Sequence, residues 1–260
     1  MSTPAPHQAF IDKWLAAEPW HRLLLVFESS ARRDLRAVLE CIGFELRQAA
    51  LTRSDPRVAA VKLEWWLQEW TALAEGAPRH PLTRVLPACA DASLQAAGAG
   101  LVQAALGLAS EDSEADLAGL VARWRRFADA QAALDAHWLP EAAAAELHAF
   151  ALVAEQVPHA SGELGRGRLP LPLSLLARHG GTRTTLRDDP AIATAVLADH
   201  ARALLDSAPA VAAEGEDYRR RQAALARLRL ASTLRDPRRA WAGDLRLPAL
   251  RALWSAWRAR

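Results

Sequence analysis

The sequence predicts an all-α protein, and three observations carry that expectation. Apolar residues recur three and four positions apart along almost the whole chain, as in Leu35, Val38, Leu39, Ile42, Leu46 and Ala49, so each such segment has one apolar stripe. No stretch alternates with a period of two for long enough to make a sheet. Alanine is abundant and tyrosine occurs once, a composition that favours helix.

Punctuation places the elements. Ser29 and Ser30 are capping residues ahead of the stripe just named. Asp55 followed by Pro56 is an N-cap with proline at the first helical position, and the helix it opens runs through KLEWWLQEW to a stop at Gly76. There Trp65 shares a stripe with Val58 and Val61, which points to core packing; Trp65, Trp66 and Trp70 lining a tunnel for an apolar chain is the other reading. Further helix starts are expected at Ser113, at Pro140 and at Asp188-Asp189-Pro190, with a break at Gly180-Gly181. The nearest approach to a linker is 158–172, PHASGELGRGRLPLP, where three glycines and three prolines exclude a continuous helix. Such a loop serves equally as the mouth of a pocket or as a plain connection.

Size and composition bound the rest. A chain of 260 residues with 51% hydrophobic content can bury a large core, and a single domain over 1–260 is expected. The chain shows no charged-then-apolar leader and no apolar run near the ~18 residues of a membrane span, so a cytoplasmic protein is expected. Cys41 and Cys89 lack metal-ligand spacing and read as reduced core thiols. From Tyr218 to Arg260 twelve arginines face only Asp236 and Asp244, which leaves residues 1 to 217 net negative by eight against a total of +2. That basic end either faces phosphates or an anionic membrane surface, or is a solvated helical face. Its last segment, DLRLPALRALWSAWRAR, sets Leu250, Leu253, Trp254 and Trp257 on one side with Arg251, Arg258 and Arg260 nearby. A basic amphipathic helix over 245–260 can lie on a membrane surface or pack back on the bundle. Phosphate-binding glycine loops, a nucleophile elbow, zinc signatures and nucleic-acid-binding motifs are all missing, so no nucleic-acid partner is expected.

Two blocks carry a resemblance. The run DPRVAAVKLEWWLQEWTALAEGAPRHPLTRVL, Asp55 to Leu86, resembles the segment of squalene/phytoene synthases in which a helix ending in a tryptophan pair meets a short glycine-containing loop and a His-Pro helix start. It is most similar to the bacterial presqualene diphosphate synthase branch. The second block, GRGRLPLPLSLLARHG, Gly165 to Gly180, is similar to that family's Gly-Arg-x-Tyr-Leu-Pro loop and the helix after it. With weaker similarity over 22–52 and 190–234, the resemblance covers most of the chain.

The resemblance implies an isoprenoid synthase-like helical bundle with a central pocket. There Mg²⁺ held between two aspartate-rich helices binds and ionises prenyl diphosphates that are joined head to head, because a departing diphosphate needs divalent cations on oxygen ligands. Carried over without gaps, the first aspartate motif falls on Arg47, Gln48 and Leu51, so the first metal wall has no carboxylate. The second falls on His159 and Glu163, which remain candidate metal ligands and catalytic residues. The tyrosine of the loop motif becomes Pro170, while Arg168 matches its arginine. Phe44, Arg47, Gln48, Leu51, Glu155 and Arg168 are the pocket positions that the resemblance implies. Glu155, His159 and Glu163 are spaced by four and suggest one helical face, weakened by Pro158 and Gly162. The only Asp-x-x-x-Asp in the chain, Asp112 to Asp116, sits at a helix start, where acidic residues are favoured for electrostatic reasons.

The expectation for function is a non-catalytic or strongly altered member of that family which binds a prenyl diphosphate, a lipid or a protein partner, with no cofactor. A parallel within the wider family is the complex I assembly-factor branch. The alternative is an active prenyltransferase using Mg²⁺ through His159 and Glu163.

Overall fold

The computed structural model describes residues 5–51, 56–89, 91–109, 113–139, 144–210 and 217–259. These form fourteen α-helices and two 3₁₀ turns, with no strand among them. The chain divides into two compact units, Met1–Ser110 with Asp129–Ala143, and Glu111–Ala128 with Ala144–Arg260.

The first unit holds α1 (Pro6–Ala17), α2 (Trp20–Leu25), α3 (Ser30–Leu51), α4 (Pro56–Ala74), a 3₁₀ turn at Thr83–Val85, α5 (Leu94–Leu108) and the C-terminal part of α6 (Leu117–Asp135). Helix α3 is its axis and packs on α1, α2, α4 and α5. The expected stripe is its inner face: Leu39, Ile42 and Leu46 are fully buried. Arg33 ties the start of α3 to the end of α2 by donating to the carbonyls of Leu25 at 2.9 Å and Glu28 at 3.1 Å. Asp55 lies outside the described residues, but α4 does open at Pro56.

Gly76 ends α4 as expected. Its φ of +76° lets the Ala77 amide reach back to the Ala72 carbonyl at 2.8 Å, the left-handed helix stop that glycine permits. The tryptophan stripe is offset from the sequence reading. Ala59, Leu63, Trp66 and Trp70 face the core, whereas Val58, Val61 and Trp65 are exposed. Helix α5 approaches α4 at Gly98, where a Cβ would stand 2.3 Å from the Trp70 ring.

The second unit contains the N-terminal part of α6, then α7 (Ala145–Gln156), a 3₁₀ turn at Val157–His159, α8 (Ala160–Gly165), α9 (Leu173–Arg178), α10 (Arg183–Asp188), α11 (Pro190–Asp206), α12 (Asp217–Arg235), α13 (Pro237–Trp241) and α14 (Ala249–Arg258). Helix α12 is central and packs on α7, α11 and α14. Asp189 caps α11 by accepting from the amides of Ala191 at 2.8 Å and Ile192 at 3.2 Å, and Gly180, at φ +60°, separates α9 from α10, both as expected. Helix α6 starts at Leu117 rather than at Ser113, because Asp116 is the residue that caps it, accepting from the Gly119 amide at 2.8 Å. Helix α7 starts at Ala145; Pro140, its expected start, lies outside the described residues.

The arginine-rich stretch corrects the sequence reading on α12. Arg219, Arg221 and Arg229 are buried there, so this part of the basic run is no solvated face. Arg219 donates to Gln222 Oε1 at 2.9 Å, and Arg220 and Arg221 both hold Asp217. The Arg220 hydrogen bond keeps the Asp217 carboxyl below its ordinary range.

The packing at Gly98 gives a direct test. Gly98→Ala forces a methyl group into the Trp70 ring and should lower unfolding stability by about 1–3 kcal/mol in a denaturant titration, although alanine is the better helix former.

Candidate functional site

The first implied wall, Arg47, Gln48 and Leu51, falls at the C-terminal end of helix α3. Arg36, Glu40, Gly43 and Arg47 lie on this helix at intervals of four, three and four, one face of a 3.6-residue helix. All four are buried. Arg36 pairs with Glu40 at 3.6 Å and with Asp135 of α6 at 3.5 Å. Gly43 leaves room for the Gln131 side chain, which would stand 2.6 Å from a Cβ there.

Arg47 meets a carboxylate that the sequence alone did not single out. Glu18 follows the last turn of α1, where its amide bonds to the Trp14 carbonyl, and its carboxylate accepts from Arg47 Nη2 at 3.0 and 3.2 Å. Trp14 Nε1 donates to the same carboxylate at 2.9 Å, and His21 Nε2 lies 3.2 Å away. The Trp14 and His21 rings pack 4.7 Å apart. Burial pushes the Glu18 carboxyl up, but Arg47 outweighs it together with the hydrogen bonds from His21 and Trp14, and the group is held well below the usual carboxylate range. Phe44 is buried with Lys13 Nζ 5.8 Å from its ring, and Lys13 pairs with Glu45 at 2.7 Å. Gln48 and Leu51 are half-buried. Cys41 is fully buried, and burial pushes its thiol up, in keeping with an unreactive core cysteine.

The His-Pro sequence after α4 folds as a buttressed loop. Glu69 Oε1 accepts from the amides of Arg79 and His80, each at 2.8 Å, and from the Thr83 hydroxyl. His80 then packs between Phe10 at 4.7 Å and Trp66 at 4.8 Å, with Trp65 at 5.7 Å. Burial lowers its pKa, against the pull of Glu69 and Glu45. The expected helix start here is a 3₁₀ turn, because Glu69 gathers the loop amides and the Thr83 hydroxyl into one compact turn.

The second implied wall is not one helix. Pro158 brings no amide hydrogen, so α7 stops at Gln156 and a 3₁₀ turn precedes α8. Glu155 is buried at the end of α7, His159 is exposed in the turn, and Glu163 is half-buried in α8. The shared face that spacing suggested is thus broken. Glu163 is clamped by two cations: Arg166 Nη1 at 2.9 Å and Arg168, whose Nε donates at 2.8 Å and whose Nη2 donates to the same oxygen. Arg168 is therefore engaged within its own loop, which Gly167 turns at φ +83°. Asp116 is exposed and acts as a helix cap, and Asp112 lies outside the described residues.

Each unit has a cleft. In the first, 420 Å³ is bounded by His7, Gln8, Ile11, Asp34, Leu35 and Val38, among others. In the second, 550 Å³ of mainly apolar space is lined by Leu117, Val121 and Arg125 of α6, Phe150 of α7, and Pro209 beyond α11. Arg227 braces this second cleft by donating to the Pro209 carbonyl, with its guanidinium 5.7 Å from the Phe150 ring. None of Phe44, Arg47, Gln48, Leu51, Glu155 and Arg168 lines either cleft. Compared with protein-family models and with curated proteins, the chain has no match.

The Arg47–Glu18 pair is testable through stability. Arg47→Met leaves Glu18 without its cation and should cost roughly 2–4 kcal/mol at neutral pH. A carboxyl held below its unfolded value adds stability that is fully present above about pH 4.3 and is lost as the pH falls further. Urea titrations should therefore show the wild type losing stability below that pH more steeply than Arg47→Met.

Proposed function

We propose that the chain is a non-catalytic relative of the squalene/phytoene synthases that binds an isoprenoid or lipid chain without transforming it. The observation that carries this reading is the Arg47–Glu18 ion pair at the position where the resemblance puts the first metal-binding carboxylate. A guanidinium paired with this carboxylate repels Mg²⁺ and offsets the negative charge that would attract it. The state of Glu163, clamped by Arg166 and Arg168, supports the same reading for the second motif.

Loss of the metal cluster removes several kcal/mol of stabilisation from a departing diphosphate, or roughly a thousandfold or more in rate. Binding of the apolar chain needs no metal. The 550 Å³ cleft has the size usual for a small-ligand site, about 300–1,000 Å³, and Leu117, Val121 and Phe150 suit a polyisoprene tail with Arg125 beside it for an anionic head.

The pure protein incubated with farnesyl or geranylgeranyl diphosphate, Mg²⁺ and a nicotinamide cofactor should release no diphosphate. The same diphosphates should raise the melting temperature, since a ligand that prefers the folded state stabilises it, and Val121→Glu should abolish the rise. Turnover that disappears in His159→Ala or Glu163→Ala would instead establish an active prenyltransferase.

A further inference from the structure

Helix α14 meets its own unit through a strip of small side chains. Ala252 and Ala256 are buried, and the Ser255 hydroxyl donates to the Ala224 carbonyl of α12 at 3.4 Å. On a helix of 3.6 residues per turn, Leu250, Leu253, Trp254 and Trp257 fall on the far side from those alanines. All four are exposed, Leu250 at 83% and Trp254 at 57%. The described residues leave ten large hydrophobic side chains exposed, and four of them sit on this one ten-residue helix, so the patch is concentrated rather than scattered. Trp254 and Trp257 stack with centroids 5.0 Å apart, which makes one continuous apolar surface.

Charge decides what covers it. Arg251 and Arg258 are exposed along one flank of the stripe, and 245–260 contains no acidic residue. Two copies apposed antiparallel through this face would set the arginines of each against those of the other, and in either orientation 245–260 offers no carboxylate to neutralise them. An anionic lipid surface supplies the missing charge, and its headgroup region is where tryptophan is favoured.

We infer that α14 is an interfacial helix that docks the protein on an anionic lipid surface. Leu250, Leu253, Trp254 and Trp257 enter the boundary between headgroups and acyl chains, and Arg251 and Arg258 contact lipid phosphates. No helix among the described residues is long and apolar enough to cross a membrane, so this contact lies in the plane of the surface. One short helix gives reversible, salt-sensitive attachment. This inference stands apart from the isoprenoid reading, because α14 shares no residue with either cleft.

Co-sedimentation of the full chain with vesicles of phosphatidylcholine alone, and of an equal mixture with phosphatidylglycerol, tests it. Binding should favour the mixed vesicles by about tenfold or more and fall as salt is raised. Trp254→Ala/Trp257→Ala and Arg251→Glu/Arg258→Glu should each weaken it by about tenfold or more while keeping the wild-type circular dichroism, because all four side chains are exposed. Failure of the wild type to pellet with mixed vesicles, or pelleting of both variants as complete as that of the wild type, would overturn the inference. So would a wild-type dimer in sedimentation velocity that the tryptophan variant abolishes without any lipid binding, which would assign the face to a second copy.

Discussion

Charged side chains on the inward face of a helix have to meet opposite charge, because an unpaired ion taken out of water costs several kcal/mol. Helix α3 carries three of them, Arg36, Glu40 and Arg47, on the same face as Gly43. Asp135 of α6 answers Arg36, and Glu18 at the end of α1 answers Arg47. These pairings add a polar constraint on register to the apolar contacts of the first unit. The chain must leave α1 so that Glu18 turns inward, and α6 must come close enough for Gln131 to rest on Gly43. A slip of either helix would separate one of these ion pairs.

Arginine pairing recurs in the second unit, with consequences for chemistry. Asp217 is held by Arg220 and Arg221, and Glu163 by Arg166 and Arg168. A divalent cation binds where carboxylate charge exceeds cationic charge, and at Glu18, Asp217 and Glu163 the neighbouring guanidinium already supplies the positive charge. These three carboxylates are therefore tied into the helical scaffold by ion pairs. Apolar surface is concentrated elsewhere, in the cleft lined by α6 and α7 and on the outer face of α14.

Much of the helical pattern was legible in the sequence because it depends on local rules. Gly76 and Gly180 stop helices through their own backbone freedom, and Asp189 and Pro190 start one through a side-chain cap and a fixed φ, none of which needs a distant partner. The stripe through Leu39, Ile42 and Leu46 was visible for the same reason. Periodicity failed where two faces are both apolar: α4 offers Val58, Val61 and Trp65 as plausibly as Ala59, Leu63, Trp66 and Trp70, and only packing against other helices chooses the second set.

The site was less legible than the fold, since its pairs join residues far apart in the chain. Arg47 was singled out by alignment with a motif, but its partner Glu18 lies 29 positions away and carries no local signature. Arg36 and Asp135 are 99 positions apart, although Arg36 and Glu40, opposite charges four apart on an otherwise apolar stripe, were a usable hint. The clamp on Glu163 was readable in principle, because Arg166 and Arg168 follow it closely.

The pairing of Glu18 and Glu163 with arginine should deny both carboxylates to a divalent cation. Titrating the protein with Mn²⁺ while following the free ion by electron paramagnetic resonance addresses it without reference to any substrate. The expected spectrum tracks added Mn²⁺ as in buffer alone, with no stoichiometric depletion at micromolar protein. One equivalent of tightly bound Mn²⁺ that Glu18→Gln or Glu163→Gln removes would contradict it.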